Sequence, residues 1–169
     1  MYKRQAIIFT EDFENWGRDS RGNPAPFGWR QWFGANNQEP NNKWKQSDWA
    51  DHETPNGEWA ALHRWEFTSG DTLDNVLETP RINLIGVSNT QLAFALADTT
   101  NFVDTLYIEI SGDGGDSSGN WTRVAGFHED VWWEIKTVDI SGWDGWSNTH
   151  IGFRYCSWGD GQLLGIDSV

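Results

Sequence analysis

The sequence carries a single cysteine, Cys156, among 169 residues. One thiol makes no intrachain disulfide, no Cys-x-x-Cys motif and no thiolate zinc site, and Cys156 reads as a small core residue. Basic residues are scarce: 12 Lys and Arg stand against 25 Asp and Glu, a formal net charge of −13. Nucleic acids and anionic membrane surfaces are held by clustered Lys and Arg, so neither partner is expected. The acidic surplus is compatible with divalent cations, and equally with plain solubility. Long apolar runs are missing too. Nothing approaches the roughly 20 residues that a membrane helix requires, and mean hydropathy is −0.65. No insertion into a membrane is expected.

Catalytic signatures are also missing. There is neither G-x-S-x-G nor H-E-x-x-H, and His52, His63, His128 and His150 show no metal-ligand spacing. A carboxylate pair such as Glu11 and Glu14 fits a glycosidase, but with 25 acids in the chain such pairs arise by chance. The expectation is therefore a chain that is not an enzyme.

What is abundant is aromatic: 13 Trp, 9 Phe and 3 Tyr. Aromatic and β-branched residues suit pleated, half-buried surfaces. No helical apolar spacing is sustained over three turns, whereas period-two patterns recur. Ala6–Phe13 alternates, with Ile7, Phe9 and Phe13 on one side. Gln91–Ala97 is apolar on both faces, as in a central strand. Asp104–Ser111 points Leu106, Ile108 and Ile110 inward. Trp121–Ala125, Trp133–Ser141, Thr149–Cys156 and Leu164–Val169 complete the set. The Gly/Asp/Ser stretch Ser111–Asn120 reads as a hairpin loop, and Ser141–Ser147 as another turn. Asp113 and Asp116 do not match the spacing of a calcium loop. The pattern predicts an all-β sandwich of two antiparallel sheets. Asn15–Thr72 differs: it is polar, holds seven Trp, and is too long for one loop. It reads as a Trp-rich irregular insertion of coil and short strands packed over one side or end of the sandwich.

The order of motifs carries a resemblance. FTEDFEN at Phe9–Asn15 precedes PAPFGWRQW at Pro24–Trp32, ETPRINL at Glu78–Leu84 and TLYIEISGDGG at Thr105–Gly115. Trp121, VDISGWDG at Val138–Gly145, HIGFRY at His150–Tyr155 and GIDSV at Gly165–Val169 follow. The series resembles the choice-of-anchor J and cleaved-adhesin domains of Bacteroidota surface proteins, relatives of MAM-type and galactose-binding-like jelly rolls. The resemblance implies a jelly-roll sandwich at the cell surface or outside the cell, beside other domains of the same polypeptide. It implies no shared catalytic residues. Where the family is usually Asp/Gly-rich, this chain is Asn-rich, at Gly34–Trp44, which puts in doubt any cation site placed there.

On that resemblance, a structural Ca²⁺ is expected where a first-strand acid meets an Asp of the last strand. The positions are Glu14 and Asp167, with Asp104 as a third ligand. The same residues also read as surface carboxylates at strand ends. Trp44, Trp49, Trp143 and Trp146 have polar or Gly neighbours, which makes them candidates for stacking on sugar faces; packing is the alternative role. The functional expectation is an adhesion or ligand-binding module, including carbohydrate recognition, with a glycan or protein ligand. A structural spacer beside a catalytic domain is the alternative, and a jelly-roll hydrolase a third. Met1–Gln5 reads as a sequencing scar, leaving residues 6–169 as one jelly-roll domain that is expected to be cut at both ends.

Overall fold

A computed structural model describes residues 7–35, 37–38, 43–47, 57–64, 72–99, 104–114, 119–158 and 163–169. Met1–Gln5, Trp49 and Asp116 lie outside the described residues.

Two five-stranded antiparallel sheets face each other. The first runs in the order β10 (Asp130–Asp139), β7 (Gln91–Thr99), β12 (Leu163–Asp167), β5 (Ala60–Arg64), β4 (Lys45–Ser47). The second runs β3 (Arg30–Phe33), β6 (Thr72–Glu78), β11 (His150–Trp158), β8 (Asp104–Ser111), β9 (Trp121–Phe127). A small ribbon pairs β1 (Trp16–Arg18) with β2 (Pro24–Pro26). This is the all-β sandwich that the alternation predicts.

The alternation decides what lies between the sheets. Phe94 and Leu96 of β7, Leu106, Ile108 and Ile110 of β8, Ile151, Phe153 and Tyr155 of β11, and Leu164 and Ile166 of β12 are buried in one cluster. Trp29 sits in it, its ring 5.4 Å from Phe13 and 6.0 Å from Phe153. Burying rings of this size contributes more than any polar contact nearby.

The irregular insertion is partly regular. β3, β4 and β5 belong to the two sheets, so this segment supplies strands to the sandwich in addition to covering it. At the start of the chain the expected strand is not regular. Ile7 is exposed, and paired main-chain bonds between Glu11 and Val169, 2.7 and 2.9 Å, join that segment to the C-terminal end. Phe13 and Ser168, both at positive φ, break the ladder there.

A bulge in β10, between Val131 and Glu134, interrupts its pairing with β7. Trp133 adopts φ 50° within it, and its ring lies over Gly165 of β12, where a Cβ would stand 3.0 Å from the indole. Only glycine admits this approach.

Candidate functional site

The sheet β3-β6-β11-β8-β9 turns a polar and aromatic face outward. On β11, Ile151, Phe153 and Tyr155 point into the core. The intervening residues His150, Gly152, Arg154, Cys156 and Trp158 therefore point out. Register lines them up with neighbours. Arg30, Glu78, Gly152, Glu109 and Arg123 form one row across the five strands. Trp32, Val76, Arg154, Tyr107 and Gly126 form the next.

Arg154 is the hub. Its Nε and Nη2 donate to the two carboxylate oxygens of Asp74 at 2.6 and 2.7 Å, a bidentate fork. Its Nη1 donates to Glu109 at 3.2 Å, and Arg123 Nη2 reaches the same carboxylate at 3.2 Å. The Asp74 bonds hold the Arg154 guanidinium above its already high range. Arg123 lies over the Tyr107 ring, 3.4 Å from its centroid, a cation–π contact. Glu78 is fully buried and accepts from Arg30, from Trp32 Nε1 at 3.0 Å, and faces His150 Nδ1 at 3.1 Å. Trp32 in turn packs on Trp121, their centroids 5.5 Å apart. Gly152 leaves room for this pair: a Cβ there would press on Trp121 and Val76 at 3.1 Å. At one end of β11, Trp158 is 75% exposed.

Three carboxylates and three guanidiniums are thus fixed beside half-exposed Tyr107 and Trp121 and exposed Trp158. Rings present flat apolar faces, while fixed charged groups present directed donors and acceptors. The combination suits a polyhydroxylated ligand. Cys156 lies on this face, half-buried, not in the core as expected. Burial and then the Asp74 charge push its thiol up to about 12, so it is no nucleophile.

The expected aromatic platform falls out differently. Trp44 is fully buried, edge-on to His63 at 5.6 Å, and belongs to the core. Its polar neighbours mislead because they are turned to other uses: Gln31 meets its main-chain N–H at 3.0 Å, and Lys43 bonds Asn23. Trp143 is half-buried against the core, and Trp146 is half-exposed beside Gly112, at the end of β8. Trp32, Tyr107, Trp121, Arg154 and Trp158 are absent from the expected ligand-binding set. For Arg154 and Trp158 the signal lies in the alternation of HIGFRYCSW, whose core-facing half defines its opposite half, and for Tyr107 in that of TLYIEIS.

The expected calcium ligands do not gather into one set. Glu14 Oε1 accepts the main-chain N–H groups of Glu58 and Trp59 at 2.8 and 2.9 Å. Gly57, at φ 81°, makes this approach, since a Cβ would collide with that carboxylate. Asp167 is fully buried and its Oδ1 accepts from Ser168 N at 2.6 Å. Asp104 opens β8, opposite Ser157 of β11 in the same sheet, and its charge acts on Asp98 and Tyr155. Among the described residues no three His, Cys, Asp or Glu converge as a metal site. Glu11 accepts from Trp29 Nε1 at 3.0 Å and from Phe13 N at 2.8 Å. Both members of the Glu11–Glu14 pair are therefore engaged within local structure. Asp113 braces the hairpin loop, accepting from Asn120 Nδ2 at 3.2 Å.

No protein-family model matches the chain, and no curated protein matches it. Solved structures do. One cleaved adhesin domain of Lys-gingipain from Porphyromonas gingivalis is 19% identical, with 96% of each chain covered and a TM-score of 0.69. A second such domain is 18% identical, covers 96% of this chain and 97% of its own, and has a TM-score of 0.66. A carbohydrate-binding module, TmCBM61, solved with β-1,4-galactotriose, is 14% identical over 82% of this chain and 83% of its own, at a TM-score of 0.53. The two-sheet sandwich described above is a cleaved-adhesin-like fold.

Proposed function

We propose that this chain is a non-catalytic binding module, exposed outside the cell, that takes a neutral glycan on the outer face of the β3-β6-β11-β8-β9 sheet. The observation that carries the reading is the Arg154 hub. A guanidinium pinned by Asp74 and Glu109 stands on the same face as Tyr107, Trp121 and Trp158. Pinned groups lose little entropy when a ligand binds, so each hydroxyl bond contributes more to affinity. The rings supply stacking, and mixed charges of both signs favour uncharged sugars over polyanions. The similar structures, adhesin domains and a galactotriose-bound module, support the same class of function.

The test is titration calorimetry with neutral β-linked galacto-, gluco- and xylo-oligosaccharides, after a glycan-array screen. Binding that weakens at least about tenfold in Tyr107→Ala and Trp158→Ala, a loss of about 1.4 kcal/mol each, supports the site. Binding unchanged in both variants places the ligand elsewhere. One observation favours a spacer role instead: Asp74, Glu78 and Glu109 already have arginine partners within the chain. A folded protein that binds no glycan supports that reading.

A further inference from the structure

The sandwich closes at one end on oxygen atoms where the rest of its interior is apolar. β7 runs inward-facing Phe94, Leu96 and then Asp98; β8 begins with inward-facing Asp104 before Leu106 and Ile108. From β11 come Tyr155 and Ser157, the latter opposite Asp104 in the ladder. All four side chains are fully buried. Both carboxylate oxygens of Asp98 have no hydrogen-bond partner, and the Tyr155 hydroxyl stands within interaction range of Asp104 and Ser157. Of the groups that act most on Asp98, the Glu129 main-chain N–H alone favours its charged form.

These groups share one neighbourhood. Asp98 is repelled by Asp104, Asp130 and Glu129, and Tyr155 feels both Asp104 and Asp98. Among the described residues, the charges that act most on Asp98 are all negative. Each buried oxygen without a partner costs about 1–3 kcal/mol, and two neighbouring carboxylates add mutual repulsion. Orphaned buried groups in a native fold call for an ion or water. Here every donor atom is oxygen: four from carboxylates and two from hydroxyls. That set matches a hard cation with six to eight oxygen ligands, and offers no nitrogen or sulfur for zinc or copper.

We infer that Asp98 and Asp104, with Tyr155 and Ser157, form a Ca²⁺ site that ties β7 of one sheet to β8 and β11 of the other. It is separate from the Glu14 and Asp167 positions. Register puts Asp98 opposite Leu164, three residues before Asp167 on β12, and on the core-facing side where Asp167 is not. A site here contributes to folding, because the unfolded chain does not hold these four side chains together.

The experiment uses the full chain stripped with EDTA and then dialysed. Calcium binding is read by calorimetry and by the thermal midpoint with CaCl₂ or MgCl₂ added. The expected result is Ca²⁺ binding with a raised midpoint, a smaller effect of Mg²⁺, and affinity reduced more than about tenfold in Asp98→Asn. Ser157→Ala removes one weak ligand and lowers affinity by a few-fold, which serves if Asp98→Asn fails to fold. Glu14→Gln and Asp167→Asn leave the shift in place. Absence of Ca²⁺ binding in the wild type, or a shift that survives both Asp98→Asn and Ser157→Ala, overturns the assignment. So does a shift abolished only by Glu14→Gln or Asp167→Asn.

Discussion

Without calcium, Asp98 should make the protein less stable as pH rises through the neutral range. Burial, reinforced by repulsion from Asp104, Asp130 and Glu129, pushes its carboxyl up from 3.8 to about 7. Between those values the folded protein holds a proton that the unfolded chain has released. The unfolded state then binds fewer protons, so stability falls as pH increases, by up to about 1.4 kcal/mol per unit. The contribution is complete below about pH 4 and gone above about pH 7. Over the whole window the loss is on the order of 3 kcal/mol, allowing for solvent screening near the end of the sandwich. Asp98→Asn mimics the protonated side chain and removes the dependence. His63 titrates in the opposite sense: burial, aided by Lys45, drives it down to about 3, so its contribution is lost as pH falls below 6.5. The wild type alone therefore shows a blurred profile, and the informative quantity is the difference between variant and wild type. Urea unfolding in EDTA, followed by tryptophan fluorescence at about pH 4, 5, 6, 7 and 8, measures it. The two proteins should coincide near the acid end, and the variant should gain steadily up to about pH 7 and then hold a constant lead. A difference that is flat across the range means that Asp98 ionises at an ordinary pKa, and the reading of its environment fails. Calcium added at the alkaline end should narrow the gap by stabilising the wild type more than the variant.

Arg154→Met strands Asp74 and leaves Glu109 with Arg123 alone, both carboxylates being almost completely buried. Urea unfolding near neutral pH should show a loss of about 3–5 kcal/mol, and a loss below about 1 kcal/mol would mean the network is solvated. Arg154→Lys should fall between, since an ammonium cannot reproduce the fork on Asp74. Glu14→Ala leaves the Glu58 and Trp59 amides without their acceptor and should cost about 1–3 kcal/mol. Glu14→Gln, which keeps a carbonyl, should recover most of it; equal losses would show that the charge and not the acceptor matters.

The readable parts of this fold are those where one face of a strand is apolar and the other is not. The expected bounds of β8, Asp104–Ser111, are the observed ones, because Leu106, Ile108 and Ile110 alternate with Thr105, Tyr107 and Glu109. β11 lies where the sequence puts it for the same reason, and β7 for another: Gln91–Ala97 is apolar on both faces, as an interior strand requires. β6 carries no such mark, although it is an interior strand. Its sequence, TLDNVLE, holds Asp74, Asn75 and Glu78, all buried. Their partners come from far along the chain: Arg154 is 80 residues from Asp74, and Arg30 is 48 from Glu78. No local pattern can reveal that a carboxylate will be neutralised at that distance.

The same limit hides both proposed sites. On the outer face, Arg154, Glu109 and Arg123 each look like ordinary solvated charges until register stacks them in adjacent rows. At the end of the core, Asp98 looks like the polar stop after an apolar strand. Asp104 is expected with Glu14 and Asp167, but that grouping follows the family resemblance and ignores which way each side chain points. Parity supplies the direction. On β7, Asp98 shares the face of Phe94 and Leu96, so it must enter the interior. On β8, Asp104 shares the face of Leu106 and Ile108. Two strands that are consecutive in the chain and lie in opposite sheets therefore aim their terminal carboxylates into the same space. Asp167, one step out of phase with Leu164 and Ile166, cannot join them. Counting by twos from a core residue such as Phe94 or Leu106 pairs Asp98 with Asp104 on sequence grounds alone. An acid in a core-facing position is ordinarily taken as the end of the strand; here it marks what the core closes around.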